Sequence, residues 1–169
     1  MDTEQKKYKG TEIVPADLQF MREAIRLADE SVAAGGGPFG AVIVKDGEIV
    51  AGASNRVTLD NDPTAHAEVN AIRQACQRLG TFDLKGCVIY SSCEPCPMCL
   101  GAIYWAGIDR IYYANTRRDA AAIDFADDFI YDELAKDPDH RALPIIPLLR
   151  DEALHTYRRW HEKSDKTTY

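Results

Sequence analysis

The sequence predicts a three-layer α/β/α domain built on a mixed five-stranded sheet, with a hairpin and with helices on both faces. Three observations predict it. An Asp46-Gly47 pair between two apolar runs marks a β-hairpin. Downstream, short apolar runs alternate with stretches whose apolar residues recur every three or four positions, the pattern of β-α-β units. A chain of 169 residues, 46% hydrophobic, is long enough for one well-filled core and short for two.

Taken in order, residues 1–14 form a polar arm, and residues 15–169 form a single domain that closes with a helix and tail over about 151–169. From Pro15 a helix carries Leu18, Met21, Ile25, Ala28 and Val32 on one face, and stops at Gly35-Gly36-Gly37-Pro38. That triple glycine lacks the Lys-Ser/Thr of a phosphate loop, so it reads as a helix stop and a close backbone turn. Gly40 to Lys45 and Glu48 to Ser54 are the hairpin strands. Asn55 to Asp62 reads as polar loop. Pro63-Thr64 opens a helix with Val69, Ile72, Cys76 and Leu79 on one face and Gly80 as its stop. Cys87 to Ser91 is a strand, Pro97 suits the first turn of the next helix, and Gly107 ends it. Ile108 to Ala114 is a further strand, and Asp124 to Lys136 is a helix through Phe125, Phe129, Ile130 and Leu134. Ala142 to Leu149 reads as the fifth strand, placed at a sheet edge by Pro144 and Pro147. Asp151 to Lys163 makes the last helix.

The formal charge of −7 argues against a nucleic-acid partner, which needs a basic surface, and favours a small neutral substrate. Arg141, Arg150, Arg158, Arg159 and Lys163 could still form a local basic patch, which keeps a tRNA substrate among the alternatives. No stretch approaches the ~20 apolar residues of a membrane span, and the polar start Met1-Asp2-Thr3-Glu4 is unlike an export signal. Five cysteines, three of them between positions 93 and 99, suit a metal or catalytic site in a reducing compartment, and hence a cytoplasmic protein.

The chemistry concentrates in His66-Ala67-Glu68 and Pro95-Cys96-Pro97-Met98-Cys99. One imidazole and two thiolates suit a single Zn²⁺, and a catalytic zinc keeps its fourth position for water. Zinc lowers the pKa of that water to around 7, and Glu68, two residues beyond the histidine, is placed to move its proton. His-x-Glu followed by Pro-Cys-x-x-Cys is the signature of zinc deaminases acting on nucleobases. Helical side chains lean toward the N-terminus, so two helix starts converging on one ion can present all these groups together. Two other readings compete. A closed structural site would recruit Cys93 as fourth ligand and leave Glu68 without a role. An iron–sulfur cluster on Cys93, Cys96 and Cys99 lacks the nearby fourth cysteine. Cys76 and Cys87 sit in apolar patterns and read as core.

The runs from Asn61 to Glu68 and from Cys93 to Ala106, together with Gly37-Pro38-Phe39-Gly40, Asp119-Ala120-Ala121 and Phe129-Ile130-Tyr131, resemble the bacterial guanine deaminases of the cytidine deaminase-like fold. The likeness extends from about Leu18 to Tyr169. It implies that His66, Cys96 and Cys99 hold one zinc per chain and that Glu68 is catalytic. It implies purine contacts from Phe39, Asn55, Ala67, Trp105 and Asp127, and a homodimer that exchanges C-terminal segments so that Tyr169 caps the neighbour's pocket. The residue chemistry agrees with guanine: a carboxylate matches its N1–H and 2-amino donors, and an asparagine suits its O6/N7 edge. Acids stand at Asp124, Asp127 and Asp128, and sequence alone leaves open which one reads the base. Guanosine, cytosine and a tRNA wobble adenosine are the alternative substrates, and a zinc-stabilised interaction module is the non-enzymatic alternative.

Overall fold

The computed structural model describes residues 12–169. The arm expected over residues 1–14 therefore lies, except for its last three residues, outside the described residues. Helix α1 (Pro15–Ala33) begins where a missing proline N–H costs nothing. Its entry is tied reciprocally: the Val14 N–H donates to Asp17 Oδ2 at 2.8 Å, and the Asp17 N–H donates to the Val14 carbonyl at 2.9 Å.

Strands β1 (Gly40–Lys45) and β2 (Glu48–Ser54) form the hairpin with the expected bounds. Asp46 and Gly47 both take left-handed backbone, at φ 51° and 80°, as a two-residue hairpin turn requires. The stretch expected to be entirely loop holds one helical turn, α2 (Val57–Asp60). Then follow α3 (Ala67–Leu79), β3 (Cys87–Cys93), α4 (Pro97–Ala106), β4 (Arg110–Asn115), the short α5 (Arg117–Ala121), α6 (Asp128–Ala135) and α7 (Arg150–Glu162).

The strands run in the order β2-β1-β3-β4, with β1 antiparallel to both neighbours and β3 parallel to β4. Period-two alternation sorts the core into two layers. Ala41 and Ile43 of β1 and Ile89 of β3 face α3 and α4, meeting Ala67, Ala71, Ala75 and Ile103. Val42, Val44 and Tyr90 face the other way, against Ala24, Phe20, Met21 and Leu27 of α1. The expected helices on both faces are therefore present.

Among the described residues the sheet has four strands, not five. Residues 142–149 adopt no strand: Pro144 and Pro147 each remove a ladder donor, and Leu143, Ile146 and Leu148 stand exposed instead of packing on β4. The helix expected from Asp124 starts later, at Asp128, because Asp124 itself takes a left-handed turn at φ 72°. Likewise α3 starts at Ala67 and not at Pro63-Thr64, since Asp62 Oδ1 accepts both the N–H and the hydroxyl of Thr64 and closes a local turn first. No helix among the described residues is long and apolar enough to cross a membrane.

Candidate active site and metal centre

The carboxyl end of β3 and the N-termini of α3 and α4 meet at one place. His66 is the residue that precedes the first turn of α3, Cys96 has the same position on α4, and Cys99 lies within the first turn of α4. Pro97 at the first helical position pre-sets the backbone that turns Cys96 toward His66. His66 Nδ1 lies 3.5 Å from Cys96 Sγ and 3.4 Å from Cys99 Sγ. A tetrahedral zinc, with Zn–N of about 2.0–2.1 Å and Zn–S of about 2.3 Å, separates such a nitrogen and sulfur by about 3.5 Å. The donor set and its spacing therefore fit zinc.

Cys93 is not part of that cluster. The three ligand atoms of His66, Cys96 and Cys99 lie within 4.8 Å of one another, whereas the Cys93 sulfur turns to the Thr116 carbonyl at 3.8 Å. Burial pushes its thiol up to about 11. Within the cluster the hydrogen bond from the Cys99 thiol, then that with His66, pulls Cys96 down to about 4. The same bond raises Cys99, and the Cys96 partner raises His66.

Glu68 projects from the first turn of α3 into a nearly dry position, 6% exposed. Burial raises its pKa above the ordinary carboxyl value. Its Oε1 accepts from the Ser91 hydroxyl at 2.9 Å and its Oε2 lies 3.3 Å from the Cys99 sulfur. Both oxygens are thereby fixed next to the zinc ligands.

In front of this group opens a cavity of about 410 Å³ lined by His66, Glu68 and Cys96, with Phe39, Asn55, Glu94, Arg117, Phe125 and Asp127 around its sides. Phe39 meets Phe125 edge-to-face at 5.0 Å between ring centres. Burial, then the charge of Cys96, raises Asp127 above its ordinary value. Asp124 also lines the cavity, while Asp128 instead lies 3.6 Å from the Arg117 guanidinium. The cavity thus brings together Phe39, Asn55 and Asp127. It does not gather the remaining residues. Ala67 is wholly buried in the core beneath α3. Trp105, 73% exposed, and Tyr169, 82% exposed, lie outside the cavity of their own chain, their rings 6.2 Å apart. Ser91, Glu94, Arg117 and Phe125 were not singled out from the sequence. Ser91 had a readable signal, because alternation along β3 places it on the same face as Ile89 and Cys93, toward α3.

Comparison with known proteins agrees with this geometry. Residues 15–115 match the cytidine and deoxycytidylate deaminase zinc-binding region. The guanine deaminase of Bacillus subtilis is 52% identical over 151 residues, covering 89% of this chain and 97% of that protein. A crystal structure of Bacillus subtilis guanine deaminase superposes with a TM-score of 0.87 at 51% identity, covering 90% of this chain and 98% of the other. The tRNA-specific adenosine deaminase of Aquifex aeolicus is 44% identical, but over 95 residues, 56% of this chain and 63% of that protein. The Bacillus match covers nearly nine-tenths of the chain, whereas the tRNA enzyme leaves nearly half of it unmatched. The chain belongs to the zinc-dependent cytidine deaminase-like family and, within it, to the guanine deaminases.

Proposed function

We propose that the chain hydrolyses guanine to xanthine and ammonia, using one zinc per chain held by His66, Cys96 and Cys99. The observation that carries this reading is Glu68, a buried carboxylate fixed by Ser91 beside His66, Cys96 and Cys99, facing a cavity with room for a purine. Zinc bound there supplies Lewis acidity, bringing the pKa of water to about 7. Glu68 takes a proton from the attacking water as the oxygen bonds to C2, and delivers it to the adjacent ring nitrogen. It then moves the second water proton to the exocyclic amine, whose C–N bond breaks to release ammonia. Phe39 and Phe125 supply aromatic surface for the flat base. Asp127 accepts from the N1–H and 2-amino donors, and Asn55 meets the opposite edge.

We further propose that two chains exchange their C-terminal segments, so that Tyr169 and Trp105 of one chain close the cavity of the other. Their contact with each other outside their own cavity supports that placement. The five free thiols fit a cytoplasmic setting. The charge of −7 speaks against a tRNA substrate.

Glu68→Gln tests the mechanism. Ammonia release from guanine should fall by about 10²–10⁴-fold, the usual contribution of a general acid–base, with zinc still near one per chain. Unchanged release would remove Glu68 from the reaction. A parallel assay on guanine, guanosine, cytosine, adenine and a tRNA anticodon stem separates the substrates, and a faster rate on any of the others would displace guanine.

A further inference from the structure

The Gly35-Gly36-Gly37 turn has a role beyond stopping α1, because it lies against Asn55. Asn55 is held at three points. Its N–H donates to the Phe39 carbonyl at 2.9 Å, its carbonyl accepts from the Ser31 hydroxyl at 3.0 Å, and its Oδ1 accepts from the Val57 N–H at 3.2 Å. The third bond decides which way the amide faces. A backbone N–H can meet only the amide oxygen, so Nδ2 must take the other side. Nδ2 has no partner among the described residues, and no described buried side-chain nitrogen or oxygen is left unsatisfied. Nδ2 is therefore reached from the cavity that Asn55 lines.

The turn leaves room for this arrangement and for no bulk beyond it. A Cβ on Gly36 would lie 2.5 Å from Ser31 Oγ and 2.7 Å from the Asn55 carbonyl oxygen. A Cβ on Gly37 would lie 3.1 Å from both Cγ and Oδ1 of Asn55. Ser31 is itself buried on α1 and its hydroxyl donates to the Asn55 carbonyl. We infer that Ser31 and the Gly36-Gly37 turn form a cradle that locks Asn55 as a hydrogen-bond donor, so that the site selects heterocycles presenting an acceptor on that edge. The inference rests on the guanine reading and sharpens it, since O6 and N7 of guanine are both acceptors. Ser31 and Gly37 act as positioning residues, through Asn55.

The test compares full-length, zinc-loaded Gly37→Ala and Ser31→Ala proteins with the unaltered chain. On guanine, KM should rise about tenfold, close to the loss of one hydrogen bond at 1.4 kcal/mol per decade, with kcat within about threefold. Zinc should stay at one per chain. Competitive inhibition by 2-aminopurine, which lacks O6, and by 7-deazaguanine, which lacks N7, reads the contact itself. The penalty should vanish for whichever analogue lacks the acceptor that Asn55 meets. Unchanged KM, or equal penalties on guanine and both analogues, would overturn the cradle. Ser31→Ala adds no volume, so it still decides the matter if Gly37→Ala fails to fold. An unaltered chain inactive on guanine would overturn the substrate reading instead.

Discussion

Residues 15–115 and residues 116–169 are built on opposite principles. The first segment buries β1 and β3 on both faces and seats the zinc ligands on helix starts that rest against that core. In the second segment no residue beyond Ala120 is buried, although it is rich in Ile, Leu, Phe and Tyr. Ile146 and Leu148 are about as exposed as the polar residues around them, at 80% and 82%. The proposed exchange of C-terminal segments would cover such exposed apolar side chains. One segment folds onto itself and holds His66, Glu68, Cys96 and Cys99; the other lends Arg117, Asp124, Phe125 and Asp127 to the cavity wall and leaves most of its apolar residues exposed.

The largest effect that would break this comparison comes from the end of the chain. Deleting residues 160–169 should lower guanine turnover by on the order of 10²-fold or more, because an unclosed cavity admits water and loosens substrate placement. Zinc should stay near one per chain, since no ligand lies in the deleted segment. Full activity in the truncated protein would show that the cavity works without the last ten residues.

Next in size is a pair of matched truncations. Ile43 is fully buried between β1 and α3, so Ile43→Ala should cost about 2–5 kcal/mol in denaturant unfolding. Ile146→Ala should cost under about 0.5 kcal/mol by the same measurement on the dilute single chain. It should instead weaken self-association, read by sedimentation at several concentrations. Equal unfolding costs for the two would erase the distinction between the segments.

Alkaline pH probes the first segment more gently. Burial, then the bond to Asp17, raises Tyr90 above its ordinary value of 10, where it stacks on Tyr112. A folded-state pKa above the unfolded one gives stability that is complete below about pH 10 and is lost as pH rises through the folded value. Unfolding free energy should therefore decline above about pH 10, and Tyr90→Phe should flatten that limb. An unchanged alkaline slope in the variant would assign the decline to other groups.

The same contrast explains what the sequence made legible. Hairpin bounds and helix stops were readable because local chemistry decides them: Asp46-Gly47 must turn, and Gly80 and Gly107 take left-handed backbone that few other residues tolerate. The convergence of His66 and Glu68 with Cys96 and Cys99 was readable because each pair is close in sequence and sits at a helix start. The fifth strand was misread because alternation shows that a segment suits a sheet and not whether a sheet edge is there to receive it. Pro144 and Pro147 outweighed the apolar run. Ser91 and Arg117 were missed because their roles depend on partners more than twenty positions away, Glu68 and Glu94. Trp105 and Tyr169 lie outside their own cavity, which no spacing within one chain could show.

The smallest effect lies at the junction of the two segments. Thr116 begins α5 with reciprocal bonds: its hydroxyl accepts from the Asp119 N–H at 3.3 Å, while Asp119 Oδ2 accepts from the Thr116 N–H at 2.8 Å. Beside it the Arg117 N–H donates to Glu94 Oε2 at 3.1 Å, and the Arg117 guanidinium covers the Tyr131 ring at 4.8 Å. Tyr131 in turn donates to the Pro95 carbonyl, next to the ligand Cys96. Thr116→Ala should cost about 1 kcal/mol, as lost helix caps do. The cost should appear as faster amide exchange in α5 and α6, with β1 and β3 unaffected, because stability in the second segment is local. If protection fell equally in the central strands, the two segments would be one cooperative unit and the contrast drawn between them would fail.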